Sequence, residues 1–322
     1  MSMDGRQRYA LLMTLCAAAM AFGSGCHLLD RRKPPPPVFP PVLQPDASLS
    51  QVMDAVNNNS RQIRSFSTNQ AELSGPGIPV ASLSTNIVFE RSRRLRITAG
   101  TALGDELDIG SNDDLFWFWV RRNDPPALLY CRHDQFASCE AARRLPVDPN
   151  WFVEAFGIVE FSPTEQHQGP ARRPDGRLEI TTVRQTPCGP STKKTVIDAT
   201  TALVHEQHLY DYQGRIAASA IVREHRLDPL TNLVMPKVID LQYPQAQLSM
   251  RVNLGNATIN GPPANPGLWA MPAKPRWPVV NLADPNWQRI FNPQAVPARF
   301  EAPPASLPQA SAGHWRGFNR LQ

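Results

Sequence analysis

Two sets of side chains could bind a metal ion. Cys131, His133 and Cys139 offer zinc ligands, but zinc sites favour tighter pairs such as C-x₂-C, and a fourth ligand is not evident. Cys131 and Cys139 also flank a short polar turn, so a disulfide that closes a hairpin is the alternative. His205 and His208 lie an odd number of residues apart on a predicted strand, where such side chains face opposite sides of a sheet. We therefore predict no metal site and leave the Cys131–Cys139 disulfide open.

Acidic residues between positions 105 and 114 are numerous enough to bind calcium. Their spacing is not that of a calcium loop, and Asn112-Asp113 is typical of a plain turn. The chain also shows no nucleophile elbow, no glycine-rich phosphate loop and no acid–base pair. We predict a protein that is not an enzyme and needs no cofactor.

Cys26 is the residue best placed for covalent modification. It follows a basic start, an apolar run over residues 9–22 and small residues, which is the layout of a secretory signal peptide. The run is shorter than the ~20 residues that a helix needs to cross a bilayer. A cysteine after the small residues resembles the acylation site of bacterial lipoproteins, although Gly23 stands where an aliphatic residue is usual. We predict that residues 1–25 are removed and that Cys26 carries acyl chains such as palmitate; a plain secretory signal is the alternative.

The charge distribution fits a place in the cell envelope. The net charge is +5, and the excess is diffuse apart from a basic stripe at Arg91–Arg96. This stripe could contact lipid phosphates, or it could be a solvated strand face. Outside the cytoplasm we expect no nucleic acid partner. His27 stands where an aspartate retains some lipoproteins in the inner membrane, so we predict a lipid anchor in the outer membrane, facing the periplasm.

Proline divides the chain into four parts. After the signal, residues 26–46 are rich in proline and predict an extended, semi-rigid tether. Residues 47–260 carry the apolar patterns of a folded domain. Residues 261–322 are again rich in proline, with isolated tryptophans and no apolar period, and predict a largely disordered tail. A first stretch of the tail, residues 268–280, could lie back on the domain, or the tail could bind an envelope protein.

The domain begins with a helix and continues as strands. Ser48 and Gln51 form a capping box, and apolar residues then recur at helical spacing. Residues 83–89 and 248–254 show the period-two alternation of antiparallel strands with one wet face. About ten or eleven strands of this kind are predicted, and a single sheet of that size tends to curl. We predict a mainly β fold in which one curled antiparallel sheet forms a half-barrel.

Two segments break the alternation. Residues 115–120 are apolar on both faces, so both sides of that strand must be covered. Residues 149–157 carry an aromatic stripe that predicts a short helix capped by Asp148. We expect this inner helix and the opening helix to fill the concave side of the half-barrel.

The order of these elements resembles the periplasmic lipoprotein carriers and outer-membrane receptors of the LolA/LolB superfamily. The local match extends from about Phe66 to Gly157. Residues 88–96 resemble the carrier's strand-turn-strand, and residues 106–119 resemble its next hairpin. Residues 149–157 stand where the family places a lid-like inner helix. The resemblance implies a half-barrel that is closed by inner helices.

In that family the half-barrel holds acyl chains in an apolar cavity. By resemblance, Arg91 corresponds to an arginine that holds the lid shut, although Ser92 replaces the proline that usually follows it. The lipidated Cys26 makes the chain look more like the anchored receptor than the soluble carrier. The resemblance therefore implies that the protein binds the acyl chains of a lipid or a lipoprotein.

Seven aromatic side chains are candidates for lining such a cavity, because ligand pockets are mostly apolar and aromatic. They are Phe116, Trp117, Phe118, Trp119, Trp151, Phe152 and Phe156. The same rings could instead fill a core that has no cavity. The protein would then be a non-catalytic envelope scaffold whose tail binds a partner.

Overall fold

The computed structural model describes residues 38–76, 78, 80–122, 126–136, 150–186, 189–244 and 248–287. The signal peptide, Cys26, Cys139, the residues just before the inner helix and the tail beyond residue 287 lie outside these ranges. All elements described below belong to the unit that begins at Phe39. None of the helices in these ranges is both long and apolar enough to span a membrane.

Within these ranges, fifteen strands form one open, curled sheet, which confirms the predicted mainly β fold. The strands are β1 (Ser65–Ser74), β2 (Leu83–Glu90), β3 (Arg94–Thr101), β4 (Gly104–Ser111), β5 (Leu115–Val120), β6 (Leu128–Arg132), β7 (Gln166–Arg172), β8 (Leu178–Thr186), β9 (Gly189–Ile197), β10 (Val204–Tyr210), β11 (Ile216–Leu227), β12 (Val234–Tyr243), β13 (Leu248–Asn253), β14 (Thr258–Ile259) and β15 (Val279–Asn281). The helices are α1 (Leu49–Gln62), α2 (His133–Phe136) and α3 (Asn150–Ala155), with a 3₁₀ turn at Pro266–Trp269.

Neighbouring strands are antiparallel except at one edge of the sheet. Their order is β15-β6-β5-β4-β3-β2-β1-β13-β12-β11-β10-β9-β8-β7, and β14 pairs with β1. Only the pairing of β15 with β6, among the described strands, is parallel. The pairing of β1 with β13 joins two meanders into one continuous concave face. The strands outnumber the ten or eleven predicted, because β7 is polar and β14 and β15 are too short to show an alternating pattern. Strand β1, whose register shifts between Thr68 and Ala71, and the five-residue β6 were not predicted either.

Helix α1 begins at the predicted capping box. Ser48 Oγ accepts a hydrogen bond from the amide of Gln51 at 3.4 Å, and the Gln51 side chain accepts one from the amide of Ser48 at 2.8 Å. The apolar side of α1 packs against β8 and β9. Buried Asn57 exchanges two hydrogen bonds with the backbone of Phe161, at 2.8 and 3.1 Å. These bonds fix α1 on the concave face.

Helix α3 is the predicted inner helix, and it lies on the same face. Its buried side chains Trp151 and Ala155, with Phe156 just beyond, pack against β1–β3 and β11–β13. The helix ends before Gly157, which has a φ of +89°, and a β-carbon there would lie 2.3 Å from Pro236 Cδ. Because only glycine fits this left-handed turn, α3 stops one residue earlier than its aromatic stripe.

Strand β5 is covered on both faces, as its sequence predicts. Phe118 lies on the inner face, where its ring is 6.1 Å from that of Phe152 in α3. Trp117 and Trp119 lie on the outer face and pack against Met271 and Trp277. The covering segment of the outer face is therefore the start of the proline-rich tail.

The folded unit extends beyond residues 47–260 at both ends. Before α1, Leu43 is buried, and the amides of Val42 and Leu43 donate hydrogen bonds to the carbonyl of Thr200 at 2.8 and 2.9 Å. After β14, residues 261–282 cross the outer face and end in β15 at the edge of the sheet. The structure thus supports the expectation that the first stretch of the tail lies back on the domain.

Candidate functional site

An apolar cavity of about 240 Å³ lies between α3 and the concave face of the sheet. Strands β1–β5, β12 and β13 contribute alternate side chains to its wall, and α3 closes one side. The lining residues are Leu73, Thr85, Ile87, Ile97, Leu107, Ile109, Phe118, Val120, Phe152, Phe156, Leu241, Tyr243, Leu248, Met250 and Val252. Val120 and Leu248 are 38% and 41% exposed, so they mark the mouth of the cavity.

Three of the seven predicted aromatic residues line this cavity. They are Phe118 on β5 and the pair Phe152 and Phe156 at α3. Phe116 lies on the same face of β5 but packs against Cys131 and Phe136, away from the lining. Trp151 packs against the ring of the lining residue Tyr243, at a centroid distance of 5.5 Å. The structure therefore gathers five of the seven rings on the concave side.

Trp117 and Trp119 do not line the cavity, because neighbours on a strand face opposite sides. The Trp117 indole donates a hydrogen bond to Asp108 at 3.2 Å and lies across Gly110, where a β-carbon would be 2.0 Å from the ring. The Lys274 ammonium lies 4.0 Å from the centre of the Trp119 ring. These two tryptophans hold the tail segment on the outer face.

Arg91, the predicted lid latch, connects the end of α1 with the segment that follows α3. Its Nε donates to the carbonyl of Ile63 at 2.9 Å, and its Nη2 donates to that of Ser60 at 2.6 Å. Its Nη1 forms an ion pair with Glu160. Arg91 thus caps α1, and it reaches α3 only through the backbone between Ala155 and Glu160.

A second ion pair, which the sequence did not point out, contacts α3 directly. Glu154 Oε2 lies 2.7 Å from Lys193 Nζ on β9, and the two side chains are 15% and 7% exposed. The amide of the Gln207 side chain donates to the carbonyl of Glu154 at 2.8 Å. The sequence signal that could have revealed this pair is Lys193, which occupies a buried position in the alternating pattern of β9.

The basic stripe is balanced by acidic side chains. Arg94 pairs with Asp113 at 2.6 Å, and Arg96 pairs with Asp108 at 2.7 Å. Arg96 also donates to the carbonyls of Leu268 and Ala270, at 3.1 and 2.8 Å. The stripe and the acidic residues near it therefore serve as partners for each other and for the tail segment.

The other candidate ligands are dispersed. In the part of the chain that the structure describes, no group of three or more His, Cys, Asp or Glu side chains could hold a metal. His205 packs edge to face on His225 at 5.1 Å, whereas His208 bonds to Ser219 at 2.9 Å. Cys131 is buried and forms no disulfide with a described residue, and burial raises the pKa of its thiol. Its predicted partner Cys139 lies outside the described residues, so that disulfide stays a prediction.

Comparison with known proteins finds similarity in structure only. No protein-family model matches the sequence. No curated protein matches it either.

Among solved structures, the chain is similar to a LolA superfamily protein from Nitrosomonas europaea, with 10% identity and a TM-score of 0.40 over 66% of this chain and 94% of that one. A DUF1329 family protein from Desulfovibrio piger shares 14% identity, with a TM-score of 0.42 over 69% and 94% of the two chains. A putative outer membrane lipoprotein-sorting protein domain from Vibrio parahaemolyticus shares 8% identity, with a TM-score of 0.43 over 67% and 95%.

Proposed function

We propose that this chain is a lipid-anchored protein of the cell envelope that holds acyl chains of a lipid or a lipoprotein in its half-barrel. The apolar cavity beneath α3 is the observation that carries this proposal. Its wall is built from aliphatic and aromatic side chains, which suit a hydrocarbon chain. Burial of such a chain contributes ~0.8 kcal/mol per methylene, so even a short acyl segment gains binding energy there.

The cavity is small enough that α3 must act as a lid if a long acyl chain is to bind. About 240 Å³ is below the roughly 300–1,000 Å³ of ordinary ligand pockets. Phe152 and Phe156 project from the region of α3 into the space that a longer chain would need. A shift of α3 away from β12 and β13 enlarges the cavity, and Arg91 and Lys193 restrain that shift through Glu160 and Glu154.

The anchor completes this proposal. Acyl chains on Cys26 hold the protein at the outer membrane on its periplasmic side, and the proline-rich residues between Cys26 and Val42 space the half-barrel from the bilayer. The role is one of binding and shielding rather than catalysis.

Native mass spectrometry of the full chain tests the acyl-binding role. We expect Cys26→Ser protein, purified from a bacterial host, to carry an acylated species. Phe156→Asp should lose this species because it places a carboxylate against the apolar wall, and Val120→Trp should reduce it by narrowing the mouth. Leu230→Asp is the matched control, since Leu230 is 90% exposed. Retention of the cargo by folded Phe156→Asp and Val120→Trp would show that the cavity is not the binding site.

The small volume of the cavity favours a second candidate, which is a packed scaffold with no ligand. In that case α3 is a permanent part of the core, and the tail beyond residue 287 makes the contact with an envelope protein. The purified protein would then have a clean apo mass and would take up no added fatty-acyl probe.

A further inference from the structure

Two aromatic hydrogen-bond donors are buried next to the cavity without a partner. Tyr243 lies at the end of β12 and is 6% exposed, and Trp151 lies in α3 and is 2% exposed. Among the described residues, neither the Tyr243 hydroxyl nor Trp151 Nε1 has a hydrogen-bond partner. Their rings meet edge to face at a centroid distance of 5.5 Å, so both donors lie where α3 contacts the sheet.

An unpaired buried donor is unfavourable, and most buried polar groups in native proteins are paired. The Tyr243 hydroxyl does not ionise to relieve this, because burial raises its pKa well above the ordinary value. The Trp151 indole can only donate. Both groups therefore stay neutral and need an acceptor.

Among the described residues, the cavity wall offers no acceptor within reach of these two donors and no charge. Thr85, the other lining residue with a hydroxyl, already donates to the carbonyl of Leu83 at 3.0 Å. None of the described lining residues is charged. An ionised ligand group would lose its hydration there without gaining a counter-charge, so a matching ligand group must be neutral.

We propose that the cargo presents a neutral carbonyl oxygen, as an acyl ester does, to the Tyr243 hydroxyl. This inference rests on the proposed acyl-binding function. The movement of α3 that enlarges the cavity separates Trp151 from β12 and uncovers both donors. The alkyl chain then fills the apolar part, and the ester carbonyl accepts the hydrogen bond from Tyr243 Oη. A hydrocarbon leaves the donors unpaired, and an ionised fatty acid buries a charge.

The test compares three ligands of equal chain length on full-length Cys26→Ser protein at neutral pH. Methyl dodecanoate, dodecanoate and dodecane each displace a fluorescent acyl probe, and we expect the ester to bind tightest. Tyr243→Phe should weaken ester binding by about threefold to tenfold, the value of one hydrogen bond, and leave dodecane binding unchanged. Its unfolding midpoint without ligand should not fall, because the substitution removes an unpaired hydroxyl. Tyr212→Phe, at an exposed tyrosine, is the control.

The outcomes separate this inference from the function on which it rests. If Tyr243→Phe binds the ester as tightly as the parent does, or loses ester and dodecane equally, the carbonyl contact is wrong while acyl binding stands. If dodecanoate binds more tightly than its ester, the requirement for a neutral group is wrong. If none of the ligands displaces the probe from the parent protein, both the acyl-binding function and this inference fail.

Discussion

Two ion pairs restrain α3, and their burial decides which one matters more. Arg91 and Glu160 are 29% and 35% exposed, and pairs with that much solvent contribute roughly 0–1 kcal/mol. Lys193 and Glu154 are 7% and 15% exposed, so the loss of one partner leaves a largely desolvated charge. The Glu154–Lys193 pair therefore restrains α3 more strongly, and Arg91 acts mainly by capping α1.

His225 makes the stability of the fold depend on pH. Burial, together with the neighbouring His205, lowers the pKa of His225 from 6.5 to about 4. As the pH falls, the unfolded chain takes up this proton first, so the stabilisation is complete above pH 6.5 and is lost as the pH falls toward 4. We expect the free energy of unfolding to drop by about 2 kcal/mol between pH 7 and pH 5, because one proton contributes ~1.36 kcal/mol per pH unit.

Urea unfolding at a series of pH values measures this effect. His225→Gln should flatten the profile, although the lowered pKa of His205 leaves a smaller slope of the same sign. An unchanged slope in His225→Gln would show that the histidine is not protonated preferentially in the unfolded state.

Single residues show where prediction from the sequence stops. The composition of residues 115–120 predicted a strand apolar on both faces, but which face meets the cavity depends on the register of β5 with β4. The unpaired donors of Tyr243 and Trp151 depend on side-chain packing between α3 and β12. Neither the register nor this packing leaves a pattern in the sequence.

Among the helices and strands, those that depend on short-range sequence patterns were predicted from the sequence. The capping box of α1, the alternation in β2 to β4 and the inner helix appear where the sequence placed them. Strand β7, by contrast, has no buried side chains in alternation. It forms because its backbone pairs with that of β8. The same holds for β15, which is set by its parallel pairing with β6.

The tail segment on the outer face behaves as part of the sheet rather than as a free tail. Removal of residues 261–322 should uncover Trp117 and Trp119 and delete β15, so we expect lower stability and a red shift of tryptophan fluorescence. Removal of residues 288–322 alone takes out only one tryptophan, Trp315, so we expect the stability and the emission of Trp117 and Trp119 to stay unchanged. A scaffold that binds its partner through the tail would lose that partner in both truncated proteins. The half-barrel of a carrier would keep its lipid when only residues 288–322 are removed.

Fluorescence and urea unfolding of the two truncated proteins decide this point. Equal stability of the two would mean that residues 261–287 contribute nothing to the fold, contrary to the contacts of Arg96 with Leu268 and Ala270.

Across the whole sheet, the concave face carries the proposed function, and the tail segment covers the outer face around Trp117 and Trp119. Helices α1 and α3 pack on the concave side, and the apolar cavity lies between α3 and strands β1–β5, β12 and β13. A short helix of six residues is not stable alone. Because α3 takes no part in the strand pairing, its displacement would break none of the hydrogen bonds between strands, as the proposed lid requires.

Photo-crosslinking with an acyl ester that carries a diazirine at its chain end tests the central claim most directly. We expect adducts on the full-length Cys26→Ser protein to map to the cavity wall, at Phe152, Phe156 and residues 248–252. Adducts confined to the outer-face segment 261–282, or no adducts at all in a folded protein, would contradict the claim that this half-barrel holds acyl chains.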